Sequence, residues 1–107
     1  MRYAKAVDAN HQQVLKAFTA NGCTVEDYSK AGGGIPDLRV HTRAWAGSVT
    51  FWVEVKDGSK PPPARRLTPA QVEWRQRNPH EVVADVLCVE DVAALLGNLR
   101  NPMRRTA

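Results

Sequence analysis

The order of apolar patterns along the chain predicts an α/β fold, a short mixed sheet flanked by helices. Three observations carry this expectation. Residues 51–56, Phe-Trp-Val-Glu-Val-Lys, alternate as a half-buried strand does, with Phe51, Val53 and Val55 on one side and Trp52, Glu54 and Lys56 on the other. Leu67-Thr68-Pro69-Ala70-Gln71-Val72 then holds a complete helix start: Thr68 as N-cap, Pro69 at the first helical position, Gln71 closing a capping box, and Leu67 and Val72 at the staple positions. Val82 to Val89 follows as a nearly continuous apolar run, broken by Asp85, which suits a buried strand. Strand, helix and strand in that order describe a crossover that returns the chain to the same sheet.

The remaining elements fit around this unit. A first helix is predicted from Asp8 as N-cap to about Asn21, with Gly22 as its stop. Val7, His11, Val14, Leu15 and Phe18 share one face at helical spacing, so His11 lies on the inward stripe. Cys23-Thr24-Val25 opens a short strand ending near Tyr28, and Ala31-Gly32-Gly33-Gly34 reads as a flexible connection. No Gly-Lys-Ser/Thr follows, so the glycines are not a phosphate-cradling loop. Pro36 leads into a second strand, Asp37 to about His41, where a residue without an amide donor is tolerated. Thr42 to Ser48 is read as a hairpin turn with Gly47 at positive φ, and Val49 to Lys56 as the third strand. Asp57 to Arg66 is a polar loop stiffened by prolines. The second helix runs from Thr68 through Trp74 and stops before Pro79. Glu90 to about Leu99 forms a third, with Val92, Leu95, Leu96 and Leu99 inward. The three early strands are expected to form a meander. The 107 residues are read as one domain, with 1–7 and 100–107 flexible.

Composition narrows the classes of function. Apolar content of 43% and charged content of 24% are those of a globular protein. No run approaches the length of a membrane span, and no signal-peptide pattern opens the chain, which points to a cytoplasmic protein without a membrane partner. Cys23 and Cys88 lie far apart in apolar contexts, without metal-ligand spacing, and are read as reduced core residues. The net charge is +4 and the pI about 9.4. Lys60, Arg65 and Arg66 cluster in one loop, Arg75 and Arg77 follow on a helix, and Arg100, Arg104 and Arg105 come near the end. Each cluster alone fits a solvated surface. Three in a small domain favour nucleic acid as partner, with Lys60, Arg65, Arg66 and Arg75 as the contacts.

The chemistry centres on Asp37 and Glu54. If their strands are neighbours and both side chains lie at one sheet end, two hard oxygen donors meet at one point. Such a pair suits Mg2+ or Mn2+, which keep several waters and draw a further ligand from a substrate phosphate. The Val55 carbonyl would complete the protein's share. Lys56, two residues beyond Glu54 on the same side, would hold an ammonium nearby to orient a water or to stabilise charge on phosphorus. The alternative for Glu54 and Lys56 is the solvated face of an edge strand.

Pro36-Asp37, a gap of sixteen residues, then Glu54-Val55-Lys56 resembles the PD-(D/E)xK nuclease signature. Gly34-Ile35-Pro36-Asp37-Leu38, Leu67-Thr68-Pro69-Ala70-Gln71 and the Asp8-Ala9-Asn10-His11 opening of the first helix are similar to the VRR-NUC branch, the virus-type replication-repair nucleases. The resemblance runs from about residue 8 to residue 96. It implies a restriction-endonuclease-like αβββαβ core and an endonuclease that uses Mg2+ or Mn2+ and no small-molecule cofactor. Asp37 and Glu54 would be its metal ligands, Lys56 its catalytic lysine, and Gln71 would lean toward the site. Small stand-alone members are similar to Holliday-junction resolvases and typical of phage genomes, which implies a homodimer acting on branched or structured DNA. One position departs from the pattern. Where such nucleases often carry a helix-one glutamate at the metal, the inward residue here is His11, either a metal ligand or a satisfied core histidine. That departure leaves a second reading, a nucleic-acid-binding module that keeps the fold with impaired catalysis. A third is a small subunit of a replication or packaging complex.

Overall fold

The computed structural model describes residues 8–101. Helix α1 (His11–Ala20) precedes strands β1 (Thr24–Asp27), β2 (Leu38–Ala44) and β3 (Gly47–Val55). A 3-10 turn (Pro62–Arg65) leads to α2 (Pro69–Arg77), then β4 (Val83–Val86) and α3 (Val89–Arg100). The four strands form one sheet in the order β1-β2-β3-β4. The first three are antiparallel neighbours and β4 runs parallel to β3, so the meander and the crossover are both present.

One face of the sheet is dry. Leu38 and Val40 of β2 and Phe51, Val53 and Val55 of β3 are buried against Val14 and Phe18 of α1 and Val92 and Leu96 of α3. Phe18 meets Phe51 edge to face, with ring centres 6.3 Å apart. The other face carries α2. There Trp52 of β3 lies between Tyr28 and Trp74, at 5.4 and 5.5 Å, and Arg39 stacks over its ring at 4.6 Å. This alternation follows from the two-residue period of the strands.

The element boundaries shift where local chemistry decides them. The first helix is capped at Asn10, not Asp8, because the His11 amide bonds the Asp8 carbonyl at 3.0 Å and closes a turn before the helix begins. Its C-terminus is a Schellman motif: Gly22, at φ 85°, bonds Thr19 O, and the Cys23 amide reaches back to Phe18 O, both at 3.1 Å. Strand β2 runs on to Ala44 and β3 starts at Gly47, so the hairpin loop is only Trp45-Ala46, shorter than the expected 42–48; Gly47 has φ 134°. The apolar run 82–89 is strand only over its middle. Val82 precedes β4 and is 65% exposed, while Val89 is the first residue of α3. The Thr68 start forms as expected, with both halves of the capping box made. Residues 1–7 and 102–107, including Val7, Arg104 and Arg105, lie outside the described residues. Cys23 is buried, Cys88 is half-buried, and both are free. Among the described residues no helix is long and apolar enough to cross a membrane.

Candidate metal centre

The β2–β3 register determines what the site can be. Leu38 pairs with Val53 at the end of the β2–β3 ladder, so Asp37 immediately precedes that pair on one strand and Glu54 immediately follows it on the other. Alternation along each strand turns both side chains away from the face that Leu38 and Val53 bury. Both carboxylate residues are buried, Asp37 at 5% exposure and Glu54 at 1%. Asp37 is held in place by the Val55 amide, which donates to its Oδ2 at 2.8 Å. Its backbone carbonyl accepts from the Tyr28 amide at 2.7 Å, which ties it to the end of β1.

Lys56 extends the same edge. Its amide donates to Val86 O at 3.0 Å, one step past the end of β3. Its Nζ donates to Gln71 Oε1 at 3.2 Å. That oxygen also accepts from the Thr68 amide at 2.8 Å, as the reciprocal half of the capping box. One buried amide oxygen therefore both closes the start of α2 and orients the lysine. The start of α2 is close enough because Gly34 lies against it. A Cβ at Gly34 would sit 2.0 Å from Ala70 O, at a φ of 78° that side chains rarely adopt.

His11 arrives from the other helical layer. It is 2% exposed, and its Nε2 lies 3.2 Å from Asp27 Oδ2. Asp27 is the last residue of β1 and pairs with Leu38, so its side chain lies on the α1 face of the sheet, away from the face of Asp37. Partial burial pushes the Asp27 carboxyl up, but the Ser29 hydroxyl, the Ser29 amide at 2.9 Å and His11 together hold it below its usual range. A hollow of about 370 Å³ beside them is lined by His11, Gln12, Asp27, Ser29 and Lys30. Asp27 and Ser29 carry no sequence signal beyond the Asp-x-Ser spacing of an Asx turn.

The expected nucleic-acid contacts divide. Lys60 and Arg66 are exposed in the loop before α2 and Arg65 is half-buried there. Arg75 is committed elsewhere: its guanidinium forks the Asp85 carboxylate, with Nη2 at 2.6 Å from Oδ1 and Nη1 at 3.4 Å from Oδ2.

The donor set fits a hard divalent cation. Among the described residues no three of His, Cys, Asp and Glu converge on one point. The protein's share would be the Asp37 and Glu54 carboxylates and a backbone carbonyl, the small allotment typical of Mg2+ sites completed by water and substrate phosphate. Two carboxylates buried beside one strand pair are costly to ionise together, and a dication offsets that cost. Comparison with protein-family models, with curated proteins and with solved structures gave no match.

Proposed function

We propose that the chain is a divalent-metal-dependent endonuclease that hydrolyses DNA phosphodiester bonds, with branched or structured DNA as substrate and a homodimer as the working form. The observation that supports this reading is that buried Asp37 and Glu54 flank the last Leu38–Val53 pair of the ladder, with Lys56 two residues beyond Glu54 and its ammonium bonded to Gln71. It also agrees with the VRR-NUC resemblance of the sequence.

In this reading Asp37, Glu54 and the Val55 carbonyl hold Mg2+ or Mn2+. The ion, when bound, lowers the pKa of a coordinated water and screens the phosphate charge. Asp37 would be held for it by the Val55 amide, which fixes one carboxylate oxygen in advance. Lys56 presents its ammonium to the phosphate oxygens as negative charge builds on them. Gln71 limits the rotamers of that long side chain, which preserves its alignment. The attacking water forms the new P–O bond and gives up a proton to solvent, one ester P–O bond breaks, and the leaving oxygen takes up a proton from solvent. Lys60 and Arg66 would neutralise backbone phosphates next to the site, without reading bases.

The test compares a four-way junction with a linear duplex of the same sequence, each with and without Mg2+ or Mn2+. Metal-dependent cutting of the junction, lost in Lys56→Ala with binding retained, is the expected result. No cutting of either substrate under any metal overturns the proposal. The inward residue of helix one is His11, not a glutamate, and it is bonded to Asp27, which favours a second reading, a DNA-binding module with impaired catalysis. Calorimetric titration with Mn2+ separates the two: heat of binding at the Asp37–Glu54 site supports the nuclease, and a silent titration with and without DNA supports the module.

A further inference from the structure

Asn10 occupies the N-cap of α1, where an asparagine ordinarily turns its side-chain oxygen onto the first free amides of its own helix. Here it makes no such bond. Its Oδ1 is buried and has no hydrogen-bond partner among the described residues. Its Nδ2 instead crosses to the sheet and donates to two carbonyls, Leu87 O at 2.8 Å and Lys56 O at 3.2 Å. These lie just past the ends of the parallel strands β3 and β4. The side chain thus forgoes a local cap to join two strand ends that are 46 and 77 residues away in sequence.

The consequence falls on Lys56. Its amide is bonded to Val86 O, its carbonyl to Asn10, and its ammonium to Gln71. Strand β4, helix α1 and helix α2 each hold a different part of one residue. Val86 fixes only the amide side, and beyond it β3 has ended. Asn10 bonds the carbonyl of the next peptide, the Gly58 amide holds the chain one peptide further on by donating to Leu87 O at 3.0 Å, and the direction of the lysine side chain depends on both. The adjacent His11–Asp27 contact holds the same turn of α1 against the end of β1, next to Asp37. The first turn of α1 therefore spans the sheet end between the Asp37 side and the Lys56 side.

We infer that Asn10 is a positioning residue for Lys56, setting the ammonium relative to the two carboxylates. This rests on the nuclease reading for its kinetic test, but not for its structural one. The informative variant is Asn10→Ser, which keeps a good helix cap and removes the bridging amide. Asn10→Asp, also a good cap, replaces the donor by a carboxylate oxygen that the Lys56 and Leu87 carbonyls repel, and is the harsher of the two.

Asn10→Ser is expected to keep the melting temperature within a few degrees, Asn10→Asp to lower it further, and both to keep the KM for junction DNA within about twofold. Their kcat should fall by about tenfold or more, as displacement of a catalytic group does. In the metal-free protein, the lysine Cε NMR signal assigned through Lys56→Arg should shift in both variants while other lysine signals stay in place. An unmoved Lys56 signal overturns the inference, as does a wild-type kcat, a loss confined to KM, or failure of both variants to fold. If wild-type protein cuts no DNA, the proposed function falls, and the lysine signal still decides the role of Asn10.

Discussion

The two faces of the sheet are built on different physics. Toward α1 and α3, Val14, Phe18, Leu38, Val40, Val53 and Val92 are fully buried aliphatic or aromatic side chains. Toward α2, the same strands present Arg39, Trp52 and Glu54, tied by stacking, by the Arg39–Glu81 pair at 3.8 Å and by the Arg75–Asp85 fork. Apolar burial is non-directional and tolerates small shifts, so the first face can supply most of the stability. Polar contacts are directional, and the second face uses them to hold specific groups in place. Stability and the candidate chemistry are thus separated by the thickness of one sheet. They meet only at the strand ends around Asp37 and Lys56.

The sharpest way to break this contrast is Asp37→Asn. Asparagine can still accept from the Val55 amide, so stability should change by less than about 1 kcal/mol. Metal-dependent cleavage should fall about a thousandfold, the equivalent of about 4 kcal/mol of transition-state stabilisation. Urea unfolding and cleavage rates measured on one preparation check both halves.

Leu38→Ala, the neighbouring residue on the dry face, should show the reverse. Removing a fully buried leucine side chain costs about 3 kcal/mol. Cleavage by the fraction that remains folded should be close to normal. A cleavage defect larger than the folded fraction explains would mean that the faces are coupled.

Gly34→Ala tests where they join. The added methyl group meets the Ala70 backbone, and the residue is left at positive φ, a combination expected to cost about 2 kcal/mol. Displacing the start of α2 also moves Gln71 away from Lys56, so cleavage should fall beyond the loss of folded protein. Normal cleavage per folded molecule would show that the Gln71–Lys56 contact is dispensable.

The smallest effect is on pH dependence. The folded-state pKa of Asp27 lies below its ordinary value of 3.8, so its contribution to stability is fully present above about pH 4 and is lost as pH falls through the folded value. The side chain is 37% exposed, so solvent screening keeps this contribution small. Asp27→Asn should flatten the acid limb of the stability curve and leave neutral stability nearly unchanged. An acid limb identical to wild type would mean that Ser29 and His11 do not favour the ionised form.

Much of this arrangement could be read along the chain. The alternation in 51–56 separates the dry face from the polar one before any fold is known, because successive strand residues point to opposite sides. The Thr68–Gln71 capping box is local and formed as expected. The limits of 82–89 were not legible, because apolar content alone does not separate buried strand from exposed lead-in or the first turn of a helix. Nor was the commitment of Arg75 to Asp85, since an arginine ten residues before an aspartate carries no periodic signal.

Sequence by itself determined the element order, the capped second helix and the short set of acidic and lysine residues that are candidates for the site. These follow from local propensity and period. Tertiary structure alone decided that the Asp37 carboxylate is bonded by the Val55 amide next to Glu54, that Asn10 leaves its own helix to hold the strand ends, and that His11 meets Asp27. Each of these depends on strand register or on contacts between residues distant in sequence, which are set when the layers pack.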